Sequence, residues 1–355
     1  MKPISVVPVV LHLGLLVFGS ACSCPPELQL EGESQDLVLG AGLFDQIDQI
    51  NTWPTTGLVV TAEHSGRIML WDAQTGLEVG PLTDTVFRHP TNPYIFPPVT
   101  VRFLPRARSM AYIENTGMLR IWDIESRRVI RRHPFEHYIE EADISGNGAW
   151  LCISSQEVIA VYDIRQEIKL AAQYHRKEAD QTVVHFTPSG QHVMVAFAGG
   201  SAALWDFGTG RTIRAYRFPS QVEKIAFSPK GDSLATGTYS GAIDLWNTQT
   251  GDKVRSLARD NFDTFAGPGG QPTVFALAYS PDGSRLAAAR GSGVMVWDVE
   301  TGEKISEWAQ LGRMAGVGFT NEAGTGLAIA SLKSLRLAHL PDRQSGASRN
   351  APMER

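Results

Sequence analysis

An all-β chain, a seven-bladed β-propeller of four-stranded antiparallel blades closed by an N-terminal strand, is predicted by three features of this sequence. An aromatic-Asp pair recurs about every forty residues, a fixed order of turns separates the pairs, and the last repeat is one strand short.

The pair comes first. Trp71-Asp72, Trp122-Asp123, Trp205-Asp206, Trp246-Asn247 and Trp297-Asp298 recur along the chain. Tyr162-Asp163 fills the gap between the second and third, and Ala338-His339 is a degenerate seventh copy. Four of the six intervals are 40 to 43 residues, the period of a four-stranded blade. The other two are 51 residues, which leaves room for loop insertions.

The turns have their own order. An apolar strand leads into Ser228-Pro229-Lys230-Gly231, Ser280-Pro281-Asp282-Gly283 or Thr187-Pro188-Ser189-Gly190. Proline fixes one turn dihedral and glycine accepts the positive φ that follows. A small-residue strand comes next, then a Ser-Gly turn (65–66, 240–241, 292–293), then an alternating strand ending in the pair. Thr-Gly turns at 75–76, 209–210, 250–251 and 301–302 lead to the fourth strand. Strands joined by such short turns form antiparallel hairpins. A single blade with two apolar faces cannot fold alone, so it stacks on its neighbours. The large ring ending the third strand fills the wedge between blades, removing roughly 150–250 Å² from water. Trp205 and Trp246 are expected in that role.

The third feature is the shortfall. After Leu340-Pro341-Asp342 only polar, Ser-rich sequence follows, so Leu28-Gln29-Leu30 to Leu37-Val38-Leu39 is expected to supply the missing strand. Residues 342–355 then read as a disordered tail.

Composition agrees. Of 355 residues, 43% are hydrophobic and only 19% charged, with 34 glycines and 20 prolines, which suits strands and turns better than helices. A net charge of −5 excludes a general attraction to nucleic acid or anionic lipid. Cys152 lies in the apolar run Trp150-Leu151-Cys152-Ile153 and reads as a buried core residue.

These repeats resemble the WD-repeat propeller family over residues 28–341, and the Ser-Pro-Asp-Gly turns resemble its prokaryotic members in particular. The Gly-His dipeptide of that family is absent. Ser65, Thr116, Ser240 and Ser292 replace its second-turn aspartate, so its buried Asp–His–Ser–Trp network is expected to be missing. The resemblance implies that the loops between blades share one rim with the second-to-third-strand turns.

The N-terminus has a targeting pattern. Lys2, the apolar run Ile4 to Phe18 and the small residues Gly19, Ser20 and Ala21 read as a secretory signal, residues 1–21. Cys22 after Gly-Ser-Ala resembles a bacterial lipoprotein processing site, in which it would become the lipidated first residue, with 22–27 as a linker. Gly19 departs from the usual Leu or Val, and cleavage after Ala21 by an ordinary signal peptidase is the alternative. The expected location is therefore the cell envelope, lipid-anchored or released.

Nothing in the sequence marks catalysis. No Ser–His–Asp or paired-carboxylate arrangement can be picked out, and no cofactor motif. His133 and His137 flank Pro134 and Glu136 in a loop, which is poor ground for a metal. Gly267-Pro268-Gly269-Gly270 lacks the lysine and helix of a phosphate loop. Asp143, Asp163, Asp206 and Asp298 read mostly as turn residues. The expected function is a non-catalytic protein-interaction scaffold, a monomer, binding through the rim. Candidate anchors are Phe87, Arg88, His89, Tyr94 and Phe96 in the first insertion and Phe262 and Phe265 in the second. Phe135 and Tyr138 lie in the equivalent loop after blade two. The same aromatics could instead cap the blade tops. The alternative function is an enzyme or a small-ligand binder using the central channel, but the first strands look apolar.

Overall fold

The computed structural model describes residues 28–30, 36–39, 46–82, 98–104, 108–175, 182–258 and 272–342. These form seven antiparallel sheets, six of four strands and one of five. Each sheet is one blade. The innermost strands are Ile47–Trp53, Pro98–Leu104, Glu141–Ile144, Thr182–Phe186, Val222–Phe227, Val274–Tyr279 and Met314–Phe319. Each touches the innermost strands on both sides, and that of blade seven touches that of blade one, so the ring is closed.

The turns form as their residues dictate. Gly231, Gly283 and Gly190 have φ of 76°, 77° and 68°. Each donates its N–H to the carbonyl of the Ser or Thr three residues earlier, at 2.8 Å. The hydroxyl adds a bond that the sequence alone does not announce. Ser228 and Ser280 Oγ accept the N–H of Ser233 and Arg285 at 3.0 and 2.9 Å, clamping the start of the second strand. At the end of the third strand, Asp72 and Asn247 Oδ1 each accept two backbone N–H groups of the next turn, the Asx geometry that stops a strand.

Among the described residues the buried apolar side chains fall into seven clusters, one at each junction between neighbouring blades. Trp71, Trp122, Trp246 and Trp297 are buried in these junctions, as the wedge argument requires. Trp205 departs from it. It is only half-buried, because Phe207 enters the junction of blades three and four instead, packing on Trp150 at 5.2 Å and Phe186 at 6.0 Å. Cys152 is fully buried, and burial pushes its thiol pKa well up.

Two expectations are refined. Residues 37–39 do pair with Leu335–His339 and close blade seven, but Leu28–Leu30 pairs outside them, so this blade has five strands, not four. The hydrogen-bonded tryptophan network is not wholly lost. Trp71 and Trp246 donate their indole N–H to Thr61 and Thr236 Oγ1 at 3.0 and 2.9 Å, tying third strand to second. Residues 1–27 and 343–355, with the signal, Cys22 and the tail, lie outside the described residues.

Candidate functional site

Two regions carry side chains beyond what the fold needs. The first is the rim at which the inner strands begin. Phe87, Arg88, His89, Tyr94, Phe96, Phe262 and Phe265, expected there from the sequence, lie outside the described residues. The loop after blade two is described, and it divides the two aromatics expected there. Phe135 is a cap: it is buried at the junction of blades two and three, with ring centres 4.7 Å from Tyr162 and 4.8 Å from His133. Its place in the core removes it from the exposed anchors. Tyr138 is 59% exposed, and its hydroxyl accepts a bond from Asn115 Nδ2 at 3.1 Å.

The turns between second and third strands share this rim. Gly117, at φ 89°, sits under the loop so closely that a Cβ would lie 2.7 and 2.8 Å from the carbonyl oxygens of Phe135 and His137. In blade five, Tyr239 stands 53% exposed in the corresponding turn. Its carbonyl accepts a bond from Thr273 Oγ1 at 3.1 Å, beside the return of the second insertion. Sequence reasoning missed Tyr239, although it directly precedes the Ser240-Gly241 turn.

The second region is the channel, and here the apolar reading of the first strands is corrected. Pairing with the second strands puts Asn51, Arg102, Asp143, His185, Ala226, Ala278 and Gly318 at one equivalent position around the ring. Blades one to four thus contribute polar side chains, and blades five to seven nothing larger than a methyl. These polar groups bridge neighbouring blades. Asn51 Oδ1 accepts the Phe103 N–H at 3.0 Å. Arg102 donates Nε and Nη2 to Asp143 Oδ1 at 3.3 and 3.2 Å. Asp143 Oδ2 accepts the Phe186 N–H at 2.8 Å and lies 3.1 Å from His185 Nδ1. Asp143 is therefore a link between inner strands, not a turn residue.

The electrostatics follow from this contact. Burial alone would raise the Asp143 pKa, but His185, Arg102 and the Phe186 N–H hold it well below the usual carboxylate value. Burial would push the His185 imidazolium down, but Asp143 overrides it and the pKa is raised. The next position outward, two residues earlier, carries Glu141 and Lys224, whose Oε1 and Nζ are 3.9 Å apart. Burial raises the Glu141 pKa against the pull of Lys224.

These groups line a cavity of about 130 Å³ in the channel. Next to it, sharing Arg102, Asp143 and His185 and lying where the inner strands end, is a mouth of about 510 Å³ bordered by Trp53, Phe103, Phe227, Tyr279, Pro229 and Pro281. A separate groove of about 150 Å³ lies between blades three and four against Trp205, Tyr174 and Phe197. Among the described residues no group of three or more His, Cys, Asp or Glu is placed to hold a metal ion. No helix there is long and apolar enough to cross a membrane.

Residues 210–247 and 260–298 match the family model of the WD domain, G-beta repeat. The first match spans the outer strand of blade four and three strands of blade five, so the repeat unit straddles two blades and laces them together. With the seven blades, these matches support a WD-repeat β-propeller, a class that commonly serves as a non-catalytic scaffold for protein interaction. No curated protein matches the chain.

Proposed function

We propose that this chain is a non-catalytic interaction scaffold of the cell envelope, anchored by a lipid on Cys22, and that it binds a protein partner on the insertion rim. The observation that carries the rim is the exposure of Tyr138 and Tyr239 on the face at which the inner strands begin. Tyrosine in such a place offers a large apolar surface with a polar tip at low ordering cost, the usual composition of an interface anchor. The signal-like N-terminus and the Gly-Ser-Ala-Cys22 sequence support the envelope and the anchor. The Arg102–Asp143–His185 layer favours a second, compatible reading in which the channel holds a ligand.

Affinity capture tests the rim, with the whole chain as bait against an envelope extract. The wild type and a Tyr138→Ser, Tyr239→Ser double variant of equal melting temperature are compared. A protein retained by the wild type and lost by the variant is the expected result; identical captures contradict the rim. Mass spectrometry of the mature N-terminus tests the anchor, and an unmodified Cys22 rules it out.

A further inference from the structure

We propose that the central channel is a carboxylate-binding site, in which Arg102, His185 and Lys224 receive the acid group of a ligand whose apolar body lies in the mouth. The inference is independent of the rim, since the mouth is on the opposite face.

The count of free donors carries it. Both oxygens of Asp143 are committed, Oδ1 to Arg102 and Oδ2 to Phe186 and His185. Arg102 spends Nε and Nη2 there and keeps Nη1. His185 spends Nδ1 and keeps Nε2 while lining both cavities. Lys224 Nζ, 3.9 Å from Glu141, is beyond hydrogen-bond contact with it. Three cationic donors thus face the channel. Against them stand Asp143, whose two oxygens are already engaged, and Glu141, whose pKa is raised by burial. Arg102 and His185 stand two residues along the strand from the level of Lys224, a rise of about 7 Å that one long side chain spans.

The dimensions set the rest of the ligand. A cavity of about 130 Å³ holds an acid group and a few atoms attached to it, since one of roughly 150 Å³ takes benzene. The remainder must occupy the mouth, whose border of Trp53, Phe103, Phe227 and Tyr279 suits an aromatic or aliphatic body. A free organic acid and the chain-terminal carboxylate of a partner both have this chemistry.

Calorimetry on the whole chain at pH 6.5 tests the proposal with five probes. These are benzoate, methyl benzoate, inorganic phosphate, a short peptide ending in phenylalanine with a free carboxylate, and the same peptide amidated. Benzoate or the peptide acid should bind, and the ester and amide should not. Lys224→Met and His185→Gln should each weaken binding by about tenfold or more, the loss of one charge-assisted bond. A peptide acid that binds far more tightly than benzoate identifies a partner's terminus as the source; equal or weaker binding identifies a free acid. Should either variant fold poorly, the His185 imidazole resonances of the wild type are followed during titration and should shift. Failure of both acids to bind overturns the proposal. So does phosphate or ester binding as tight as that of benzoate, an unshifted His185, or full affinity in both folded variants.

Discussion

Trp308 donates its indole N–H to Asp36 Oδ2 at 2.9 Å, joining positions 272 residues apart. The same carboxylate accepts from Arg336 Nη1 at 3.2 Å, and its other oxygen accepts the His339 N–H at 3.4 Å. Asp36 directly precedes the closing strand, Trp308 ends the outer strand of blade six, and Arg336 and His339 lie on the third strand of blade seven. One buried side chain therefore pins a three-residue strand that closes the ring.

Asp36→Ala should destabilise the chain, by about 2–3 kcal/mol, because it removes one buried carboxylate that accepts from Trp308, Arg336 and the His339 N–H together. Urea denaturation measures it. A midpoint near that of the wild type would show that backbone pairing at 37–39 closes the ring unaided. Deleting residues 28–39 should go further and leave an open sheet edge that self-associates, visible in light scattering.

The tryptophans should separate by burial. Trp246 is buried, bonded to Thr236 and packed edge-on against Phe218 at 5.0 Å. Trp246→Ala should cost about 3–5 kcal/mol, as for other large buried aromatics. Trp205→Ala should cost clearly less, since Phe207 holds its junction. Equal losses in paired denaturation curves would show that the half-buried ring is as structural as the buried one.

The channel predicts a pH dependence. Asp143 is held below its ordinary pKa of about 3.9, so its contribution is present above that value and lost as pH falls through the depressed one. His185 is held above its ordinary value of about 6.5, so its contribution is full below 6.5 and lost as pH rises through the raised one. Glu141, held up by burial, opposes Asp143 on the acid side. The alkaline side is the cleaner one, and stability should decline above pH ~6.5. In His185→Gln that decline should shrink. An imidazole titration by nuclear magnetic resonance should place His185 above 6.5 and return it downward in Asp143→Asn. A wild-type His185 titrating below its ordinary value would contradict the ion pair.

The blades were legible because their signals are local. Trp246-Asn247, Ser228-Pro229-Lys230-Gly231 and Thr250-Gly251 each specify a turn or strand end within a few residues. The channel was not, because Arg102, Asp143 and His185 each stand in a different short strand, some forty positions apart. A signal existed nonetheless. Counting back from the third-strand aromatic, Asn51, Arg102 and His185 stand twenty residues earlier and Asp143 nineteen. Aligning the repeats on that aromatic puts the first three in one column and Asp143 one place beside it. Asp36 had no such marker, since its partners come from the far end of the chain. The exchange of Phe207 for Trp205 turned on which of two nearby rings reached the junction, a packing outcome that spacing does not encode.

Binding by the insertion rim is tested most directly by replacing residues 84–97 and 259–271 with the short connection Phe218-Pro219-Ser220-Gln221 that joins blades four and five. The affinity of the shortened chain for the captured partner is then measured beside its melting temperature. The account predicts an unchanged melting temperature and lost binding. Full affinity in a stably folded chain would place the interface elsewhere and contradict it.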